Sequence, residues 1–333
     1  MPPNPTIETV PPETLPATIG SIGSVEISAN LRRHAEAARG AFASNTERAL
    51  KGDIARFTGW CRQDGRHAMP ASPETVAAFI DAMAASKAPA TVRRHVSSIA
   101  TFHRAAGVAN PCDGPDVKLA LKRMHRALGR AQRQAAPVSD GLVERMLATA
   151  GTGTRALRNK AMLTVAYTTM ARRAELVALR AEDLTVDPDG FGIIVIRRGK
   201  TDQEGEGAVA PITPDAMRHL VAWTDAAGIV DGLLFRAVLK GGRIGGALDA
   251  GEVGRVFKAM ARAAGLSEGD AMRISGHSTR VGAAQDMLRY GETLPAIMQA
   301  GRWKTAEMVG RYTVKQGARQ SAAARVADRR VRF

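Results

Sequence analysis

Between His277 and Tyr312 the chain reads HSTRVGAAQDMLRYGETLPAIMQAGRWKTAEMVGRY, and no other stretch gathers as many side chains able to act on a phosphodiester. His277 and Arg280 stand three residues apart at the start of an expected helix, with Val281, Ala284 and Leu288 on its apolar face and Gly291 as its stop. An imidazole, a guanidinium and free backbone amides at a positive helix terminus form an anion site. Thr293 and Pro295 open a short helix that Gly301 ends, Trp303 follows, and a helix capped by Thr305 carries Tyr312. An indole N–H only donates, and a phenol oxygen can attack phosphorus as a nucleophile.

The segment 159–183 supplies a second cluster. Met162, Leu163, Val165, Ala166 and Met170 mark a core helix, after which Arg172 and Glu175 lie three apart. An interior guanidinium needs a partner, because an unpaired buried charge is costly. Glu175 is one partner and a bound phosphate is another, although an ordinary surface pair has the same spacing. Asp183 to Arg197 reads as a hairpin turning at Asp187-Pro188-Asp189-Gly190, and a second turn carrying Lys200 leads to a strand over 208–212. Gly205 and Gly207 make that second loop mobile. From Thr213 to Leu266 the pattern is helical apart from a glycine-rich turn in which Lys240 and Arg243 are candidate DNA-backbone contacts. That turn lacks the Gly-Lys-Ser/Thr ending of a phosphate-cradling loop, so no nucleotide is expected.

Ahead of these segments, residues 1–26 are rich in proline and poor in large apolar side chains, which predicts a disordered leader. Residues 27–128 read as helices with short breaks, among them a capping-box start at Ser44-Asn45-Thr46-Glu47 and proline-initiated helices at Pro73 and Pro89. Residues 129–139 read as a linker, after which Ser139 caps the first helix of a second domain over 140–316. Beyond it, Gly317 is expected to break the helix of Tyr312 and leave a separate short tail helix in 317–333.

The 333 residues carry a formal charge of +15, which points to a polyanionic partner. Cys61 and Cys112 form no motif, the six histidines other than His277 lack metal-ligand spacing, and no window is apolar enough to span a membrane. The expectation is a reduced, cytoplasmic protein with no metal and no cofactor.

The pattern His277-x-x-Arg280, then Trp303, then Tyr312 nine residues later, resembles the active site of the tyrosine recombinases, the phage integrase family, in particular its Cre-like branch. LPAIMQAGRW, AYTTMARRAEL, SNTERALKGDIARFTGWC and ATVRRHVSSIATFHRAAGV extend the likeness over both domains. The resemblance implies a mainly α, two-domain fold, with a helical N-terminal DNA-binding domain and an α+β catalytic domain holding a small antiparallel sheet. It implies that Arg172 and Arg280 clamp the scissile phosphate, that Glu175 orients them, and that Lys200, His277 and Trp303 assist. Tyr312 then forms a 3′-phosphotyrosyl bond, and strands exchange through a Holliday junction. Arg48, Lys51, Arg93, Arg94 and His95 correspond to helices laid into successive major grooves, although base contacts do not transfer: Ala90 stands where a lysine is expected. Double-stranded DNA with an inverted repeat is the implied partner, bound by a homo-tetramer whose tails exchange between protomers. A nicking-closing enzyme of the type IB topoisomerase kind or a telomere resolvase shares this chemistry, and a catalytically silent DNA-binding protein is the alternative from another class.

Overall fold

A computed structural model describes residues 21–131, 134–197, 199, 207–319, 321, 323, 326 and 327, in two compact units, 1–133 and 134–333.

The first unit is a helical assembly of α1 (Ser21–Ala37), α2 (Ser44–Gln63), α3 (Pro73–Ala84), α4 (Pro89–Ala106) and α5 (Pro115–Leu128). Proline opens α3, α4 and α5, where its missing N–H is no loss, and the Ser72 hydroxyl accepts the Thr75 amide at 3.2 Å to cap α3. The helical spacing of Phe57, Phe79, Ile80, Val92, Ile99 and Val117 becomes one buried core. Two expectations need correcting. Helix α1 begins at Ser21, so residues 21–26 belong to a helix rather than to the leader, and Ile27 is buried with Met69 and Ala106. The capping box does not form: α2 starts at Ser44 with Ala43 at the cap position, and Asn45 instead accepts from Arg48 Nη1 at 2.8 Å.

The second unit packs helices around a small sheet. α6 (Asp140–Ala148), α7 (Thr154–Thr168) and α8 (Arg173–Ala178) precede β1 (Leu184–Val186), β2 (Gly192–Ile196) and β3 (Ala208–Ile212). The three strands pair antiparallel in that order, Leu184 opposite Ile194 and Val195 opposite Val209. Their alternation turns Ile194, Ile196, Ala210 and Ile212 into the core with Met162, Leu163, Trp223 and Phe257. After α9 (Pro214–Ala227), the glycine-rich segment expected to be only a turn forms a second antiparallel pair, β4 (Arg236–Val238) and β5 (Ile244–Ala247). Gly241 and Gly242, with φ of 79° and 82°, let it reverse tightly. Then come α10 (Ala250–Ala263), α11 (Glu268–Met272), α12 (Ser278–Arg289), α13 (Leu294–Gly301) and α14 (Ala306–Arg319). Gly317 does not break the helix of Tyr312, since α14 continues to Arg319; an interior glycine costs only about 1 kcal/mol relative to alanine.

Ser139 takes the cap position of α6 but makes no side-chain bond there; Asp286 of α12 accepts the Asp140 amide instead, at 2.9 Å. The segment before α6 also crosses α12 closely, Val138 N–H donating to the Ser278 carbonyl at 3.0 Å. Gly282 permits that approach, because a Cβ there would overlap the Val138 carbonyl. Gly282→Ala is therefore expected to destabilise the chain by roughly 1–3 kcal/mol in urea unfolding, the range for overpacking; an unchanged midpoint would show that the crossing relaxes freely.

Candidate active site

The site begins at the corner between α7 and α8. Met170 adopts a left-handed backbone, φ 49°, which is uncommon for a residue with a side chain. Arg172 then caps α8 and is fastened to Glu175 twice, by its amide to Oε2 at 2.9 Å and by Nη1 to Oε1 at 2.6 Å. Glu175 is buried. Burial pushes its carboxyl upward, but the hydrogen bonds from Arg172 and the charges of Arg172 and Arg302 prevail and hold it below the usual carboxylate range.

Arg280, one turn into α12, is completely buried. Nη1 donates to the Met170 carbonyl, Nη2 donates to the Gly301 carbonyl at 2.7 Å, and the guanidinium lies over the Trp303 ring, 5.2 Å from its centroid. Burial first, and the neighbouring Arg172 and Arg302 second, lower its pKa to about 10, so it stays charged at neutral pH. Among the described residues its Nε has no hydrogen-bond partner. A buried donor in that state requires an explanation, and an arriving anion supplies one.

Trp303 stacks on Tyr312 with ring centroids 5.1 Å apart and planes inclined by 23°. Gly301 makes room for the indole, because any Cβ there would fall within the ring. The Tyr312 hydroxyl lies 2.8 Å from His277 Nε2, and its backbone carbonyl accepts from Gln285 Nε2 at 2.8 Å, which seats α14 on α12. His277 occupies the cap position of α12, and its own amide donates to the Ser275 hydroxyl at 3.1 Å. Burial and the adjacent Arg280 and Arg172 depress its pKa to about 4. At neutral pH it is uncharged, and with its proton on Nδ1 it presents a lone pair to the phenol.

Arg172, Glu175, His277, Arg280, Trp303 and Tyr312 thus form one cluster, whereas Lys200 lies outside the described residues. The other tyrosines are engaged elsewhere: Tyr167 donates to Asp286 at 2.6 Å, and Tyr290 bonds Asp140. Arg302 was not anticipated from the sequence. Its Nη2 lies 3.0 Å from Glu175 Oε2, and the only local signal is an arginine directly after the glycine that ends α13.

In the first unit Arg48, Lys51, Arg93 and Arg94 are exposed on α2 and α4. His95 does not face outward as expected. It is 2% exposed, its Nε2 lies 3.3 Å from Asp53 Oδ1, and Asp53 also accepts from Arg94 and from the Ser98 hydroxyl. An aromatic ring on the apolar side of α4 gains more by packing on Phe79 than by exposure. A groove of about 450 Å³ lies over this cluster, edged by Arg48, Arg56, Lys87 and Arg94. Lys240 and Arg243 are exposed at the tip of the β4–β5 pair. Among the described residues there is no group of His, Cys, Asp or Glu that could hold a metal ion, and no helix long and apolar enough to cross a membrane.

Residues 140–319 match the phage integrase family. The chain is 33% identical over 289 residues to an integrase/recombinase XerD homolog of Selenomonas ruminantium, spanning 83% of this chain and 82% of that protein. It is 30% identical over 291 residues to the Cre recombinase of Escherichia phage P1, spanning 82% and 85% respectively. The structure of a lambda integrase dimer bound to a COC′ core site shares its fold, with a TM-score of 0.57 at 14% identity over 84% of this chain and 92% of that one. The chain belongs to the phage integrase family, the tyrosine-type site-specific recombinases.

The His277 ring is expected to titrate near pH 4 in an NMR titration. Because the unfolded ring binds its proton nearer pH 6.5, the unfolded state carries more protons between these values, and the stability tied to His277 falls as pH drops through that window. A midpoint at the ordinary value would show the ring to be solvated and the arginines remote.

Proposed function

We propose that Tyr312 is the nucleophile of a site-specific DNA recombinase, and that Arg172, Glu175, Lys200, His277, Arg280 and Trp303 serve its attack on a phosphodiester. The observation that carries this reading is the Tyr312 hydroxyl held 2.8 Å from His277 Nε2, with its ring stacked on the indole that covers Arg280. In the cleavage step the phenol oxygen bonds to phosphorus, the phenolic proton passes to His277 Nε2, and the bond from phosphorus to the 5′ oxygen breaks. Lys200, by family resemblance, protonates that leaving oxygen. Arg280 has its Nε–H unpaired among the described residues and Arg172 supplies a second planar cation, so the added charge of the pentacoordinate state meets donors already fixed in place. A 5′ hydroxyl of a second duplex reverses the step and exchanges strands, with no external energy source because the phosphotyrosyl bond stores that of the broken ester.

Arg48, Lys51, Arg93 and Arg94 give the first unit an outward basic surface suited to duplex DNA, with Lys240 and Arg243 as further backbone contacts. Assembly as a tetramer on two inverted-repeat duplexes, in the cytoplasm, follows from the same reading. A nicking-closing enzyme is less well supported, because the relatedness to Cre and the XerD homolog spans more than four-fifths of the chain.

The decisive measurement uses an inverted-repeat duplex selected by the full chain from a random-sequence pool and nicked beside the scissile phosphate. Wild type is expected to form a covalent adduct, and Tyr312→Phe to bind equally well and form none; adduct from that variant would move the nucleophile elsewhere. Since α14 extends to Arg319, a test of tail exchange should cut after that residue. Truncation there is expected to spare half-site binding and abolish cooperative filling of the second half-site in gel-shift titrations, and unchanged cooperativity would reduce the tail to an appendage.

A further inference from the structure

Two described residues other than glycine have a left-handed backbone, Met170 at φ 49° and Arg302 at φ 51°, and they are bonded to each other. Arg302 holds the position after α13 at which helices commonly place glycine, its amide donating to the Met298 and Gln299 carbonyls. A non-glycine residue persists in such a conformation only when its surroundings over-determine it, and those surroundings deserve a functional explanation. Here they are the supports of the active site. The Arg302 side chain reaches back to the corner between α7 and α8, where Nη1 donates to the Thr169 carbonyl at 3.0 Å and Nη2 donates to the Met170 carbonyl at 3.3 Å. The same Nη2 donates to Glu175 Oε2 at 3.0 Å.

Two acceptors are thereby shared. Glu175 gives Oε1 to the side chain of Arg172 and Oε2 to the Arg172 amide and to Arg302. The Met170 carbonyl accepts from both Arg280 and Arg302. Arg302 therefore touches the carboxylate that orients one guanidinium of the site and the carbonyl that orients the other, while its backbone immediately precedes Trp303. Its guanidinium is partly buried and directs its bonds to the Thr169 and Met170 carbonyls and to Glu175, so it acts through its neighbours.

We infer that Arg302 is a positioning residue for DNA cleavage, tying the end of α13 to the α7–α8 corner so that Arg172, Arg280 and Trp303 hold one fixed arrangement around Tyr312. This inference rests on the reading of Tyr312 as nucleophile. Glycine suits the left-handed backbone, so Arg302→Gly removes the side chain without adding strain, and Arg302→Lys keeps a charge while losing the planar fork.

The test measures single-turnover adduct formation on the selected, nicked inverted-repeat duplex at saturating full-length protein, with half-site affinity and thermal melting alongside. R302G is expected to keep half-site affinity and to lose adduct-forming rate on the order of 100-fold, the scale of a misplaced reacting geometry. R302K is expected to recover part of that rate. If Arg302 acts through Glu175, the double variant E175Q/R302G is no slower than E175Q alone. An R302G variant that cleaves at the wild-type rate, or E175Q and R302G losses that simply multiply, would overturn the inference. So would an R302G variant that melts early and loses half-site binding while R302K restores only folding, since Arg302 would then be structural alone. Wild type forming no adduct would refute the Tyr312 reading and the inference together, whereas an R302G that matches an active wild type refutes the inference alone.

Discussion

The arrangement depends on the burial of Arg280. A charged guanidinium with no exposure is tolerated only where acceptors and π-faces replace water, and here the Met170 and Gly301 carbonyls and the Trp303 ring do so. Each replacement dictates something nearby. The Met170 carbonyl points inward because that residue takes a left-handed turn at the end of α7, and that turn also places Arg172 at the start of α8. The Gly301 carbonyl is available because α13 ends there, and Gly301 itself is the residue that leaves space for the indole. Segments more than a hundred residues apart in the chain are thus held in register by one side chain.

Clustered cations then set the protonation of their neighbour. Burial and two nearby guanidiniums all disfavour the charged form of His277. An imidazolium could not take the phenolic proton, so the same positive charge suited to a phosphate also leaves the imidazole free to act as a base. Glu175 is the counterweight. It is one buried carboxylate shared between two guanidiniums, which neutralises part of the cluster.

Much of this was legible because helices convert spacing into adjacency. His277 and Arg280 fall on one face by number alone, and Thr293 with Pro295 announces α13. Proline starts and apolar periodicity likewise gave the helices of the first unit. What escaped depends on contacts distant in sequence. Arg302 looks like an exposed helix-end residue until Glu175, 127 positions away, is placed beside it. His95 looks like a basic residue beside two arginines, and only the approach of Asp53 and Phe79 makes its buried position favourable. The β4–β5 pair was missed because its glycines weaken any strand signal, and Gly317 was given more breaking power than a packed helix concedes.

Tyr312 differs from the arginines in how it is held. It rides on α14, near the end of the described chain, and is fixed by the stack on Trp303, the bond to His277, the grip of Gln285 on its carbonyl and the contact of Gln134 with the Arg311 carbonyl. The stack joins Tyr312 to the same indole that covers Arg280, and Val309 of the same helix is buried in the core with Met170, Ala284 and Ile297. Tyr312 itself adds to this apolar anchoring a few polar bonds and one aromatic contact, each worth on the order of 1 kcal/mol. Because Val309 and Tyr312 pack on the core that holds Trp303 over Arg280, a displacement of α14 would shift the indole and the guanidinium along with the phenol, so one set of apolar contacts sets the position of all three.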